Sequence, residues 1–317
     1  MRELATWVLA FGIATGVMAA DEIAVTHDKD GKKVSVTIGG KIFTEYLYEN
    51  KGKPILYPII GPHGIEMTRN YPMKKGVAGE AKDHPHHQSL HYNHGWVSGK
   101  NFWHHRQGEQ IRTDEIVKAD VIKGEGVIVS RNSWVAGGKT VCTDTTEIHC
   151  GESEGGRYID FKITLHAAAA DVVFGDTKEG TMSIRTHPAL RLKGPVAKGK
   201  AINSEGVTGK AVWRKAEKWV DYWAPIGEHT VGISIFDHPD NPRHPTTWHA
   251  RDYGLIAVNP FARKHFKAGE GPLTIPAGES VTFAYRFWFR EGSHDDATIS
   301  ERYESWGKSF DQKATVK

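Results

Sequence analysis

Cysteine is scarce in this chain of 317 residues, which has only Cys142 and Cys150. That excludes a disulfide-stapled fold and any zinc site built from CxxC pairs. Nor should the two pair with each other. Residues 139–150 alternate as one continuous strand, which sets the sulfurs roughly 26 Å apart, far beyond disulfide reach. Two free thiols are expected. Long apolar runs are also few, and none after the N-terminal stretch approaches the length of a membrane span. No charge dominates, since 41 Lys and Arg oppose 38 Asp and Glu for a formal net charge of +3. The basic residues are scattered, so nothing marks a nucleic-acid partner. The HExxH pattern, low-complexity tracts, Pro/Ser-rich linkers and internal repeats are absent, and convincing helical periodicity is confined to one segment.

The N-terminus reads as an address. Met1 and Arg2 precede an uncharged apolar stretch over residues 4–17, and Val17-Met18-Ala19-Ala20 supplies small residues for cleavage. Residues 1–20 are therefore expected to be a signal peptide, cut near Ala19 or Ala20, giving a secreted or periplasmic protein without membrane insertion. The remaining residues 21–317 are rich in Gly (34), Trp (10) and, unusually, His (18). Short alternating runs with turn chemistry between them fall at residues 23–27, 33–38, 41–48, 54–60, 126–135, 139–150 and 157–168. Others follow at 180–185, 209–213, 219–226, 229–236, 254–259, 273–276 and 279–290. Residues 295–308 form the one helical pattern, with Ile299, Tyr303 and Trp306 on one face. The series predicts an all-β fold in one domain, a large two-sheet antiparallel β-sandwich with one short C-terminal helix.

Four constellations can carry chemistry. In residues 83–96, Asp83, His84, His86, His87, His91 and His94 crowd a stretch that Pro85 keeps out of regular strand as far as Gln88. Imidazole acts as acid, base or metal ligand near neutral pH, so His86, His87 and His94 are catalytic candidates and Asp83 and His84 substrate-binding ones. In residues 236–254 three prolines stiffen a connector carrying Asp237, His238, Asn241, Arg243, His244, Trp248, His249 and Asp252. Its Asp-His-Pro repeats the one at residues 83–85, and in each the Asp is placed to orient an imidazole or cap a turn. These residues are candidate sugar contacts, with Trp248 as a stacking wall. Around β-like residues 180–185, Glu179, Arg185 and His187 combine a carboxylate with groups that recognise hydroxyls or carboxylates. Finally, Glu205 precedes Trp213, Trp219, Asp221, Tyr222 and Trp223, aromatic platforms beside acids that suit a sugar ring. No spacing signature demands a metal. A divalent metal nevertheless stays open, with His244 and His249 as its candidate ligands.

Residues 83–95 with Asn101-Phe102-Trp103, then 175–185, 203–208 and 236–260, together resemble a bacterial family of secreted proteins labelled methane oxygenase PmoA. His91 and Asn93 depart from that pattern, which has Trp and Ala there. The membrane subunit of that name crosses the bilayer several times and this chain has no span for it. The resemblance instead implies a β-supersandwich similar to the galactose mutarotase-like fold, associated with epimerases, lyases and glycoside-acting enzymes. The expectation is an exported carbohydrate-active enzyme, a hydrolase, lyase or epimerase acting on a small sugar or oligosaccharide. An imidazole among His86, His87 and His94 would move a proton opposite Glu179 or Glu205, and Arg185 and His187 would hold the sugar. A non-catalytic sugar-binding protein and a His-ligated metal or redox protein are the alternatives.

Overall fold

The computed structural model describes residues 21–105, 108–295 and 297–313. The signal peptide expected over residues 1–20 lies outside the described residues. Nineteen strands follow in chain order among them. The first ten are β1 (Ile23–Asp28), β2 (Lys33–Ile38), β3 (Lys41–Leu47), β4 (Ile55–Ile59), β5 (Leu90–His94), β6 (Gln110–Ile122), β7 (Glu125–Ala136), β8 (Lys139–Ser153), β9 (Gly156–His166) and β10 (Val172–Phe174). The rest are β11 (Gly180–Arg185), β12 (Lys200–Asn203), β13 (Ala216–Glu217), β14 (Trp219–Ile226), β15 (His229–Asp237), β16 (Thr246–Ala250), β17 (Leu255–Asn259), β18 (Leu273–Ile275) and β19 (Ser280–Glu291), followed by helix α1 (Ile299–Ser309).

One sheet has nine strands in the order β1-β2-β3-β4-β5-β11-β17-β16-β13, and the other has eight, β12-β14-β15-β19-β9-β8-β7-β6. A two-stranded ladder, β10-β18, stands apart. Neighbouring strands run antiparallel, as in β11 between β5 and β17. The two-sheet sandwich with one C-terminal helix expected from the sequence is thus the architecture observed.

Alternation builds the core. In β2, Val34, Val36 and Ile38 are buried while Lys33, Ser35 and Thr37 are half-exposed. Phe43, Leu56, Tyr92, Met182 and Val258 of the larger sheet meet Trp134, Ile148, Phe161, Ile233 and Phe287 of the other in one continuous core. Tyr92 joins the sheets directly, stacking 6.3 Å from Phe161 and meeting Trp134 edge-on at 6.2 Å. Cys142 and Cys150 are both buried and free, as the strand reading required. In the middle of the larger sheet β5, β11, β16 and β17 are buried along their whole length. Met182 and Ile184 face the core. The opposite face, with Ser183, Arg185, His91, Asn93 and His249, is covered by loops rather than by water.

Besides the short strands β10, β12 and β13, which were not anticipated, three segments differ from expectation. Residues 209–213, read as a strand, contain a single 3₁₀ turn, Gly209–Val212. Residues 246–250, read as part of a proline-stiffened connector, form β16, which starts as soon as Pro245 has passed. The 13-residue β6 was missed because it is a charged edge strand with two bulges, so its apolar alternation is broken.

Helix α1 docks on a second apolar cluster. Ile299, Tyr303 and Trp306, the face anticipated from periodicity, pack on Tyr158, Trp219, Phe236 and Trp288. Among the described residues no helix is long and apolar enough to cross a membrane. Trp306 is 1% exposed, so Trp306→Ala should cost about 3–5 kcal/mol. Urea unfolding at neutral pH checks this; an unchanged midpoint would mean that α1 contributes nothing to the folded unit.

Candidate functional site

The histidine loop is folded around one guanidinium. Arg69, 2% exposed, donates to the carbonyls of Ala81, Asp83, His84 and His87 at 2.9–3.1 Å and to Asp83 Oδ1 at 2.7 Å. The same Oδ1 accepts from Arg185 at 2.9 Å, while Oδ2 meets His84 Nδ1 at 2.8 Å. Asp83 therefore does orient its neighbouring imidazole, and it also bridges two buried cations. Burial alone would raise its carboxyl, but Arg185, the His84 hydrogen bond and Arg69 together hold it below its usual value. Arg185 lies under the Tyr253 ring at 4.7 Å and meets His87 Nδ1 at 3.3 Å. His84, His87 and Tyr253 are nearly parallel, with His84 5.2 Å from Tyr253 and 4.8 Å from His87.

Above this base opens a cleft of about 340 Å³, lined by His84, His86, His87, Trp103, His104, Lys178, Glu179, His249, Arg251 and Tyr253. Trp103 forms one wall, 5.3 Å from the His87 ring, and His86 lies 4.6 Å from His104. The opposite wall comes from residues 175–179, which fold back over β16 and β17. His249 Nδ1 donates to the Lys178 carbonyl at 2.6 Å and Asn259 to the Thr177 carbonyl at 2.9 Å. Gly95 permits the approach, because a Cβ there would sit 2.7 Å from that of Glu179. Glu179 receives Lys178 at 2.5 Å and the Thr177 hydroxyl at 3.1 Å. Burial pushes its carboxyl up, but Lys178, Thr177 and His249 outweigh that and leave it ionised at neutral pH. Arg251 stacks over Trp213 at 4.2 Å. A second cavity of about 550 Å³ adjoins on the far side of His84, His86 and His104.

Three of the cleft imidazoles, His86, His87 and His249, are neutral at pH 7. Burial, reinforced by His104 and Lys53, drives His86 down to about 3; burial also drives His249 to about 4 and His87 far below its ordinary value. A further cause lies behind the cleft. Lys53, fully buried, donates to the His86 carbonyl at 2.8 Å and lies 3.4 Å from His105 Nε2. Burial pushes it down to about 7. At neutral pH the His86 and His87 rings are thus uncharged, while the Glu179 carboxyl is ionised.

Of the residues singled out in the sequence, the cleft gathers His84, His86, His87, Glu179 and His249 along its walls, with Asp83 and Arg185 beneath. It does not gather the others. His94 is buried in the core, donating to the Gly175 carbonyl and packed on Phe261, because it follows Tyr92 on the core face of β5. Trp248 is 0% exposed with its indole N–H on the Glu217 carbonyl, so it is core and not a stacking wall. His187 caps a 3₁₀ turn by accepting from Ala189 N. Glu205 is exposed beside a turn held by Asn203, and does not line the cleft. Asp237, Asn241 and His244 form a buried network, with His244 reaching Asp237 at 2.7 Å and Tyr303 of α1 at 3.3 Å. His238 meets Phe310 O and Trp306. Arg243 is spent on the carbonyls of Pro260, Gly271 and Pro272. That connector anchors α1. Asp252 lines a different cavity, described below. Arg69, Lys53, Trp103 and Tyr253 were not anticipated as site residues, since no spacing marks them.

His244 and His249 do not converge. Among the described residues three potential metal ligands meet only at His63, His229 and Glu291, outside the cleft. There the imidazoles stack face to face at 3.6 Å and 7°, so one ion cannot lie in both ring planes.

A family model described as Family of unknown function (DUF6807) matches residues 33–304. The chain belongs to that family. No curated protein matches this DUF6807 member. Among solved structures it is similar to a glycoside hydrolase family 97 enzyme from Pseudoalteromonas sp. strain K8 in complex with panose. That likeness has 9% identity and a TM-score of 0.36, covering 86% of this chain and 35% of that one. The galactosidase domain of an alpha-galactosidase-sucrose kinase gives 7% and 0.41, over 85% and 42%. A galactose mutarotase-like protein from Clostridium acetobutylicum gives 8% and 0.37, over 86% and 99%. The chain spans only about a third of the length of the family 97 enzymes. Likenesses this distant carry no conclusion about activity.

Two outcomes follow from the site. Asp83→Ala leaves Arg69 and Arg185 without a counter-charge and should destabilise the fold by about 3 kcal/mol in urea unfolding; no loss would mean the bridge is idle. His86 and His105, held near 3, His94 and His249, held near 4, and the more strongly depressed His87 and His91 are neutral in the native state. Unfolded, each would take a proton below its ordinary 6.5. The unfolded chain thus binds more protons as pH falls from 6.5 towards about 4, and stability is lost over that window. Each histidine contributes a slope of up to about 1.4 kcal/mol per pH unit. Urea midpoints should drop steeply between pH 6.5 and pH 5; a level profile across that window would contradict the neutral assignment.

Proposed function

We propose that the protein is an exported carbohydrate-active enzyme that moves a proton on a sugar bound in the Glu179 cleft, as an epimerase or a lyase. One observation carries the reading. A single ionised carboxylate, Glu179, shares a cleft with aromatic faces and with N–H donors from Lys178, Arg251 and imidazoles. Such a carboxylate takes a proton from carbon next to a carbonyl, and the electron pair moves into the carbonyl oxygen, where cationic donors stabilise it. Return of a proton to the opposite face, from a neutral imidazole N–H or solvent, gives the epimer; expulsion of the oxygen one carbon further on, protonated by the acid that Glu179 has become, gives the unsaturated sugar. The usual hydrolytic alternative needs two carboxylates facing each other across the bond, about 5–9.5 Å apart. Glu179 has no second carboxylate opposite it in the lining, because Asp83 is consumed by Arg69, Arg185 and His84. The predicted N-terminal signal supports action outside the cytoplasm.

The test is incubation of the protein with panels of aldoses, uronates and their oligomers in D₂O, followed by proton NMR. One sugar class should exchange a carbon-bound proton or form an unsaturated product. Glu179→Gln should slow this at least ~10²-fold while still binding the sugar. Exchange at the wild-type rate in Glu179→Gln would overturn the assignment of the base. Binding without exchange by the wild type would make the protein a sugar-binding module.

A further inference from the structure

A second cleft of about 630 Å³ lies behind the Glu179 cleft, and a single turn separates them. Residues 251–254 join β16 to β17, closed by hydrogen bonds from Arg251 N to Leu255 O and from Gly254 N to Arg251 O. Gly254 there has φ +92°, a conformation that favours glycine. Side chains alternate across this turn. Arg251 and Tyr253 line the Glu179 cleft, while Asp252 between them lines the second one. The carbonyl of Asp252 also accepts from Leu192 N and Lys193 N, at 2.9 and 3.0 Å, which ties the far wall to the same turn.

The chemistry of the second cleft is specific. Lys193, Lys200 and Lys210 line it, with Asp252 as the one opposing acid and Trp223 as a half-buried aromatic face. The three lysines are exposed, and no ion pair to them is found among the described residues. Trp223 is braced from behind by His294, 5.6 Å away and near parallel, and His294 is itself fixed on Asp221 at 2.9 Å. A rigid indole beside three ammonium groups matches a ring with an apolar face and anionic substituents. The Glu179 cleft has the same bias. Around and beneath it, Arg69, Lys178, Arg185 and Arg251 outnumber Asp83 and Glu179, so an anionic ligand completes its charge balance.

We infer that the ligand is an acidic oligosaccharide, bearing carboxylate or sulfate groups, that lies across the 251–254 turn with one unit beside Glu179 and the next against Trp223 and the three lysines. This rests on the proposed carbohydrate reading of the Glu179 cleft and names its substrate class. It agrees with the chemistry there, because the carbon next to a carboxylate carries the most acidic carbon-bound proton of a uronate. A metal ion is the poorer fit, since the cationic surplus opposes it.

Titration calorimetry on the full chain decides the matter with four probes: glucuronate, a hexameric oligogalacturonate, a sulfated neutral hexamer and an uncharged hexamer. The acidic hexamer should bind at least tenfold more tightly than glucuronate, and more weakly as salt rises. Trp223→Ala, and separately the triple variant Lys193→Gln/Lys200→Gln/Lys210→Gln, should remove that tenfold gain and leave glucuronate affinity unchanged. The lysine variant alters exposed positions only, so it remains informative should Trp223→Ala fail to fold. Tight binding of the sulfated hexamer alone would identify sulfate as the anion. An acidic hexamer no tighter than the monomer, a gain that survives in the lysine variant, or equal binding of the uncharged hexamer would overturn the inference. Lysine-dependent hexamer binding with no proton exchange on any sugar would instead remove the enzymatic reading and keep the binding surface.

Discussion

Two buried guanidiniums, Arg69 and Arg185, share the single carboxylate Asp83, and the candidate site is arranged around that imbalance. Arg69 gathers four carbonyls from residues 81–87, which fixes the backbone of a loop that has no regular structure of its own. His84 is held at φ +44° within it, a conformation that a histidine adopts only under such constraint. Because the carbonyls turn to one guanidinium, the imidazoles of the loop are presented as a group. Arg185, arriving from β11, locks that group to the sheet through Asp83 and His87.

Burial then sets the protonation of the histidines nearby, with the surrounding cations as a smaller contribution at His86 and His87. Lys53 lies behind the cleft, donating to the His86 carbonyl and close to the His105 ring. Histidines that might otherwise titrate near neutrality are held uncharged, since protonation would add cations to a desolvated cationic site. Glu179 stays ionised despite burial because Lys178 and the Thr177 hydroxyl hold its charge.

Sequence periodicity revealed the sandwich because its strands alternate, and β2, β11 and β14 fall at the expected bounds. It did not reveal β16, whose five residues are buried on both faces, or β6, whose charged edge breaks the pattern. The histidine loop stood out by composition, and Arg185 and Glu179 by their place at the two ends of one strand. Arg69 and Lys53 were invisible. Each is a lone basic residue in an ordinary context, and only the fold shows that both are out of water. The second proline-rich stretch misled for the opposite reason. Its Asp, Asn and His residues look like a site but hydrogen-bond to one another and to α1. A polar cluster that satisfies itself has nothing left for a ligand.

The last step concerns the outer face of β5, β11, β17 and β16, neighbours in the larger sheet. Strands with one apolar and one polar face usually turn the polar one to water. Here loops roof it, and polar atoms are trapped beneath them without partners, including His91 Nε2, Asn93 Oδ1, Ser183 Oγ and His249 Nε2. Such groups are costly to bury unless something is gained. The roof comes from the Arg69 loop on one side and residues 175–179 on the other, and it leaves the 251–254 turn between two open clefts. His249 reaches the Glu179 cleft from this face, while His91, Asn93 and Ser183 stay buried under the roof. In that setting the sandwich is the frame, and the proposed anionic ligand gives its roofed polar face a use.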